Sequence, residues 1–209
     1  RVTNGEKAEV SGLPEIYKRG QGGLLDVALH PDYKNNKIIY FTAGVHIEGD
    51  EGGNTALYCG ELNENSLSNI KLLYKGNPNT KKGQHWGSRI VFDNKGHLFF
   101  GIGDRGNRDA NPQDLNRDGG KIYRLNLDGS IPEDNPYVGD ASALDSIWSR
   151  GHRSPQGLEI NPLNGDLWST EMGPRGGDEL NIIGPGNNYG WPLHSLGINY
   201  SGTEVNYGR

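Results

Sequence analysis

Three polar residues, Gln21, His85 and Arg153, stand at matched places in the chain. Each lies seven or eight positions before the last apolar residue of a short strand-like run. Histidine is the usual general base near neutral pH, and arginine stabilises a developing anion or holds a carboxylate. If the three side chains meet, they form a catalytic and anion-binding set. The alternative is that each only bonds neighbouring structural units together.

A repeat sets this spacing. A short apolar strand, a polar turn and a second apolar strand recur three times, in residues 24–44, 89–104 and 157–173. The last apolar residue before each turn is Leu29, Phe92 and Ile160, so the spacings are 63 and 68 residues. Further strand-like runs follow each pair. Each unit therefore holds three or four short strands and no convincing helix.

Four-stranded antiparallel units repeated in sequence are typical of β-propeller blades. The 33 Gly and 11 Pro among 209 residues favour short strands and turns over a helical bundle, because Gly inside a helix costs about 1 kcal/mol. We therefore predict an all-β fold of three four-stranded blades, with the three polar residues facing one end of a central channel. Closed propellers have about four to eight blades, so we expect residues 1–209 to form a partial, single-domain propeller within a longer protein.

The composition argues against several other classes of protein. The formal net charge is −5 with no basic run, which argues against nucleic acid as a partner. No apolar stretch approaches the ~18 residues of a membrane span, and the first residues lack a signal-peptide core. The single Cys59 excludes an internal disulfide and a multi-cysteine metal site. Asn199 opens a glycosylation sequon.

Three short motifs are ambiguous. Residues 101–106 match G-x-G-x-x-G but no helical pattern follows, so we predict a glycine-rich turn and no dinucleotide site. Residues 114–119 open like an EF-hand, yet Leu125 occupies the twelfth position, which favours an Asx-rich turn. Trp86 is suited either to stacking on a flat ligand or to packing between blades.

The loop that begins at Glu171 is rich in oxygen donors. Gly173 and Pro174 offer backbone carbonyls, and Asp178 and Glu179 add carboxylates. Such ligands suit Ca²⁺. The alternative is an acidic turn in which Asp178 caps local amides.

Five longer motifs, in order between residues 10 and 192, resemble the soluble quinoprotein glucose/sorbosone dehydrogenase family, and within it the bacterial aldose sugar dehydrogenases. They are GQGGLLDVALHPDY, HWGSRIVFDNKGHLFFGIGDRG, GKIYRLNLDGSIPEDNPY, IWSRGHRSPQGLEINP and EMGPRGGDELNIIGPGNNYGWP. Several long motifs in order are far more specific than any one short pattern. The resemblance implies a six-bladed propeller, a periplasmic or secreted location, and oxidation of aldose sugars to lactones with pyrroloquinoline quinone (PQQ) and Ca²⁺.

The resemblance also implies roles for individual residues. His85 matches the general base that takes the C1 hydroxyl proton as hydride moves to PQQ. Arg153 matches the arginine that contacts PQQ and stabilises its reduced form. Gln21 matches a glutamine that contacts PQQ, Gln84 a position beside the base, and Asp104 a carboxylate near the base.

Further positions match a metal or depart from the family. Gly173 and Pro174 match carbonyl ligands of the Ca²⁺ that PQQ binds, and Glu179 and Tyr189 match a second, structural Ca²⁺ site. Ser154 stands where the family usually has Asn, which puts its contact with PQQ in question. The family's later blades supply further cationic residues that clamp PQQ, so we expect residues 1–209 alone to be inactive.

Two rival functions stay open at this point. One is a non-enzymatic binding propeller of the same lineage, like the Hedgehog-interacting proteins, since a fold alone does not fix function. The other is a Ca²⁺-dependent lactonase propeller. Axial Gln, His and Arg residues bind an anion better than a cation, which disfavours the lactonase. The electron acceptor is not indicated by the sequence.

Overall fold

The computed structural model describes residues 2–46 and 51–205. Within these ranges the chain consists of short strands and one helical turn, α1 (Tyr33–Asn36). The strands are β1 (Val2–Thr3), β2 (Glu6–Lys7), β3 (Leu24–Leu29), β4 (Ile38–Val45), β5 (Asn54–Asn63), β6 (Ser66–Lys75), β7 (Ile90–Phe92), β8 (His97–Ile102), β9 (Lys121–Asn126), β10 (Ile147–Arg150), β11 (Pro155–Ile160), β12 (Leu167–Glu171) and β13 (Glu179–Ile183). The all-β prediction is confirmed.

Three antiparallel sheets follow one another along the chain. The first sheet has the strand order β3-β4-β5-β6, the second β7-β8-β9-β10 and the third β11-β12-β13. Strands β1 and β2 form a separate pair. The middle inner strand, β7, contacts both β3 and β11. The three repeated strand pairs are thus the two inner strands of each sheet.

The third sheet has three strands in the part of the chain that is described, where the repeat predicts four. After β13 the chain leaves the sheet and runs beside the end of β10, where Arg150 bridges to Asn188. The Tyr189 amide donates to the Arg150 carbonyl at 2.9 Å. The backbone groups of this segment therefore hydrogen-bond to the second sheet instead of adding a fourth strand to the third.

The period-two alternation of the strands builds a core on both faces of the second sheet. Leu98, Phe100 and Ile102 point toward the first sheet and pack with Tyr40. The intervening Phe99 points the other way and packs against the third sheet. Successive strand residues point to opposite faces, so one strand can serve both layers.

We predict that Leu98→Ala lowers the free energy of unfolding of the full-length protein by about 2–5 kcal/mol, because it leaves a cavity in a closed core. Leu98 is 0% exposed and the matched control Leu163 is 92% exposed. Leu163→Ala is expected to change stability by less than about 0.5 kcal/mol. Urea unfolding measures both, and equal losses in the two variants would contradict this packing.

Candidate functional site

A cavity of about 380 Å³ opens where the three sheets meet. Its lining includes Gln21, Gln84, His85, Asp104, Gly106, Arg108, Arg153, Pro174, Trp191, Asn199 and Tyr200. A second cavity of about 280 Å³ adjoins it and shares Gln21, His85, Arg153 and Tyr200. The three matched positions of the repeat therefore do come together on one face.

The segments entering the inner strands position these side chains. The Gln21 side chain accepts the backbone N–H of His85 at 2.8 Å through Oε1. His85 has φ 55° and Ser88 φ 100°, backbone conformations that non-glycine residues rarely adopt. The kink delivers the imidazole to the cavity before β7 begins. Gly22 is required close by, since a Cβ there would collide with the Trp86 ring.

The His85 imidazole is paired with a buried carboxylate. Its Nδ1 lies 2.7 Å from Oδ1 of Asp104, and Asp104 is 1% exposed. The loop after β8 brings Asp104 here, and its N–H donates to the Arg153 carbonyl at 2.7 Å. Gly103 permits this approach, because a Cβ would meet the His85 and Arg153 carbonyls.

The Arg153 guanidinium is 6% exposed and lies at the wall of both cavities. Its Nη1 donates to the carbonyls of Met172 and Gly173, each at 2.8 Å. Its Cζ lies 5.4 Å from the centroid of the Trp191 ring, within the range of a cation–π contact. In this structure the guanidinium is therefore held at the cavity wall by two carbonyls.

A second arginine holds the segment before His85 from behind. Arg105 is fully buried, and its Cζ lies 3.4 Å from the centroid of the Trp86 ring. Its Nη1 donates to the Gln84 carbonyl and its Nη2 to the Lys82 carbonyl at 3.3 Å. Burial lowers the pKa of Arg105 to about 9. Trp86 therefore packs against Arg105, although it also borders the second cavity.

Polar groups beneath the loop after β8 keep it in place. The Lys121 ammonium donates to the carbonyls of Asn111 and Gly119, and burial lowers its pKa to about 7. The Asn111 amide in turn donates to the Asp104 carbonyl at 3.1 Å. In residues 114–119 the predicted Asx turn is confirmed, since the Asn116 N–H donates to Asp114 Oδ1 at 2.9 Å.

Some backbone groups of the loop after β12 hydrogen-bond within the loop itself. Asp178 Oδ1 accepts the Gly173 N–H at 2.9 Å, which is the capping alternative considered for Asp178. The Gly173 carbonyl is engaged by Arg153, while Pro174 lines the first cavity. Ser154 is buried beside the second cavity and accepts a hydrogen bond from Gln156 at 3.0 Å.

Glu179 and Tyr189 lie near a second buried cluster. Glu179 pairs in register with Glu171 across β12 and β13, and Glu171 Oε2 lies 3.1 Å from Nδ1 of His152. The His152 and Tyr189 rings stack with centroids 4.8 Å apart. Burial, with a further contribution from Glu171, raises the pKa of Glu179. Over the described ranges, no group of three or more His, Cys, Asp or Glu residues is arranged to hold a metal.

Five residues that line the first cavity were not predicted as site residues: Gly106, Arg108, Trp191, Asn199 and Tyr200. Arg108 Nη1 donates to Asn199 Oδ1 at 2.6 Å, so the loop after β8 is tied to the segment that follows the third sheet. The only sequence signal at Asn199 is its glycosylation sequon. Trp191 stands within the last of the quoted motifs, which was the available signal.

The two groups implied by the resemblance fit this site unequally. A flat polyanion suits the first cavity, because Arg153 supplies charge, Gln21 an amide and Trp191 an aromatic wall. A cation suits the Glu171–Glu179 pair, since the two acidic residues are register partners across β12 and β13 and Glu171 is buried. The Gly173 carbonyl is less suited, since it already accepts a hydrogen bond from Arg153.

Comparisons with known proteins define the class of the chain. A family model described as "Glucose / Sorbosone dehydrogenase" matches residues 1–209. Aldose sugar dehydrogenase YliI of Escherichia coli (strain K12) is 43% identical over 204 residues, which cover 96% of this chain and 54% of that protein. The chain therefore belongs to the glucose/sorbosone dehydrogenase family. It spans about half the length of the curated relatives it matches.

Solved structures agree with this assignment. The apo form of the soluble aldose sugar dehydrogenase from Escherichia coli superposes with a TM-score of 0.90 at 42% identity, over 95% of this chain and 57% of that one. The PQQ-bound aldose sugar dehydrogenase from Streptomyces coelicolor gives 0.78 at 31% identity, over 96% and 57%. The propeller-type fold and the resemblance are confirmed.

No helix within residues 2–46 and 51–205 is long and apolar enough to cross a membrane.

We predict that Arg105→Lys lowers the free energy of unfolding by about 2–4 kcal/mol, because an ammonium cannot replace a stacked guanidinium that donates to several carbonyls. Arg89→Lys is the matched control, since Arg89 is 53% exposed and pairs with Asp26 at 2.8 Å. Exposed pairs contribute about 0–1 kcal/mol. Thermal unfolding compares the two variants, and an equal effect would refute the anchoring role of Arg105.

Proposed function

We propose that the full-length protein containing this chain oxidises aldose sugars at C1 to lactones with PQQ as cofactor. The observation that carries the proposal is the His85–Asp104 pair, with a contact of 2.7 Å, facing Arg153 across one cavity. Membership of the glucose/sorbosone dehydrogenase family supports the same chemistry.

His85 is suited to act as the general base. An ionised carboxylate only accepts hydrogen bonds, so Asp104 holds the imidazole proton on Nδ1 across the 2.7 Å contact. Nε2 is then the nitrogen left to take a proton from a sugar hydroxyl in the cavity. A base oriented by a third group is the arrangement that efficient proton abstraction requires.

Arg153 is suited to hold the cofactor. When bound, PQQ supplies the acceptor for the hydride that leaves C1. PQQ carries three carboxylates, and a guanidinium binds a carboxylate through parallel hydrogen bonds. Gln21 and Gln84 line the same cavity and add amide donors, whereas Ser154 borders only the adjoining one.

We further propose that residues 1–209 make up about half of a six-bladed propeller. The inner strand of the first sheet exposes Leu24, Val27 and Leu29 by 57%, 62% and 56%. At the other end of the row, β13 exposes Leu180 and Ile182 by 64% and 53%. Apolar side chains exposed at both ends of a row of sheets support closure by further blades. We place the protein in the periplasm or outside the cell, a location supported by the family resemblance alone.

Calcium is the second part of the proposal. We assign a structural Ca²⁺ to Glu179 and Tyr189, supported by the pairing of Glu179 with Glu171 across β12 and β13. We assign a second Ca²⁺, next to PQQ, to the carbonyls of Gly173 and Pro174. Because Arg153 occupies the Gly173 carbonyl in this structure, that assignment requires its guanidinium to turn toward the cofactor.

We predict that His85→Ala slows sugar oxidation by the PQQ-saturated, full-length enzyme by about 10²–10⁴-fold, the usual loss of a general base, while the affinity for PQQ changes little. His97→Ala is a close control. Its imidazole is paired with Asp93 at 2.8 Å, and both His side chains are 16% exposed, but His97 lines a different cavity, of about 580 Å³. Near wild-type turnover in His85→Ala, assayed with a dye acceptor, would refute the general-base role of His85 and favour the non-enzymatic binding function.

Arg153→Ala is expected to behave differently from His85→Ala. It removes a cation that faces an anionic cofactor, so it weakens PQQ binding as well as turnover. Titration of each apo-variant with PQQ, followed by fluorescence, separates the two roles. Unchanged PQQ affinity in Arg153→Ala would contradict the clamp.

We predict that Ca²⁺ raises the melting temperature of the wild-type protein by mass action, and raises that of Glu179→Gln by less, because the variant keeps only the second proposed Ca²⁺ site. In EDTA the variant is expected to melt at or above the wild-type temperature, because it loses a charge that burial and Glu171 disfavour. The raised pKa means that the Glu179 carboxyl keeps its proton to higher pH in the folded state than in the unfolded state. The stability of the wild type therefore falls as the pH rises from the unfolded-state pKa through the folded-state pKa. Glu133→Gln, at an exposed position, should retain the Ca²⁺ response, and an equal response in Glu179→Gln would place the ion elsewhere.

A further inference from the structure

Trp191 reaches the site from a segment that does not belong to the repeat. Residues 187–191 run beside the end of β10, and the Trp191 N–H donates to the Gly151 carbonyl at 2.9 Å. The Gln113 amide donates to the Trp191 carbonyl at 2.7 Å. The residue is 5% exposed, so its backbone and ring are both fixed.

The indole N–H is directed at the carboxylate that pairs with the base. Nε1 of Trp191 lies 2.9 Å from Oδ2 of Asp104. The other oxygen, Oδ1, accepts the Gly106 N–H at 2.7 Å and faces Nδ1 of His85 at 2.7 Å. Both oxygens of this buried carboxylate are therefore engaged, through three contacts.

We propose that Trp191 is a positioning residue for the sugar oxidation proposed above, and that it fixes the tautomer of His85 through Asp104. The role of Trp191 in turnover rests on that proposed function, whereas its effect on the His85 tautomer does not.

Donor chemistry gives the reason. An indole N–H and a backbone N–H can only donate, so each Asp104 oxygen has one partner that obliges it to accept. Both oxygens therefore act as acceptors, as those of an ionised carboxylate do, and the proton of the 2.7 Å contact lies on Nδ1 of His85. Nε2 is therefore held as an acceptor on the cavity side, which is the form a general base needs.

The hydrogen bond also limits rotation of the carboxylate. The last torsion of an Asp side chain is broad and has little preference of its own. With Oδ2 held by Trp191, Oδ1 stays opposite His85. The same ring lies under the Arg153 guanidinium, at 5.4 Å, so the base and the cofactor clamp share one support.

The test replaces the indole N–H in the full-length apo-protein labelled with ¹⁵N-histidine. In the wild type, Nδ1 of His85 should give the signal of a protonated nitrogen and Nε2 that of a bare one. In Trp191→Phe the two signals should move toward each other, because the Asp104 carboxylate can then rotate, Oδ1 no longer stays opposite Nδ1, and both tautomers become populated. Trp148→Phe is the control, since the Trp148 indole N–H is buried without a hydrogen-bond partner, and it should leave both signals in place.

Activity gives a second readout. Trp191→Phe in the PQQ-saturated enzyme should lower kcat by about 10- to 100-fold, the effect of losing one hydrogen bond to a charged group, with PQQ affinity within about twofold because an aromatic ring remains under Arg153. If Trp191→Phe does not fold, a benzothienyl analogue of Trp at position 191 removes only the N–H and keeps the shape of the ring. Unchanged His85 signals in a folded variant would overturn the inference. Shifted signals in a protein whose wild type oxidises no sugar would uphold the tautomer assignment and remove the proposed function.

Discussion

The site depends on one buried carboxylate. Asp104 joins three parts of the chain, because it meets His85 before β7, Trp191 after the third sheet and the Arg153 carbonyl before β11. An ionised carboxylate that is 1% exposed would be strongly destabilising without such partners. Two of its partners, His85 and Trp191, come from segments that the fold brings together, so the geometry of the base depends on how the sheets dock.

The sheets provide the rigidity that this carboxylate needs. Strand β8 ends directly before the loop that carries Asp104, and its residues pack on both neighbouring sheets. Below the loop, Lys121 and Asn111 hold its backbone, and on the far side Arg105 holds the segment that leads to His85. Closely packed protein interiors shift little. A loop anchored from both sides can therefore keep a 2.7 Å contact in place before any ligand arrives.

Much of this arrangement can be predicted from the sequence, and the reason is periodicity. The spacing of Leu29, Phe92 and Ile160 predicts three sheets and brings Gln21, His85 and Arg153 to one face, because equivalent positions of stacked units are equivalent in space. Trp191 breaks the pattern. It arrives on a segment that pairs with Gly151 instead of with its own sheet, and a contact of that kind has no signature in strand spacing. The unequal strand number of the third sheet has the same cause.

The charge around the cavity adds a last consideration. The chain as a whole carries a formal charge of −5, yet the first cavity is lined by the cations Arg108 and Arg153 and by one carboxylate, Asp104. That carboxylate is already engaged by N–H donors, so its field toward the cavity is partly cancelled. Arg108 is itself paired with Asp109 at 3.6 Å, so the positive potential in this walled space, where fields are poorly screened, comes mainly from Arg153. An anion is favoured there and an isolated cation is not, which separates this cavity from the carboxylate-lined metal site that a lactonase would need.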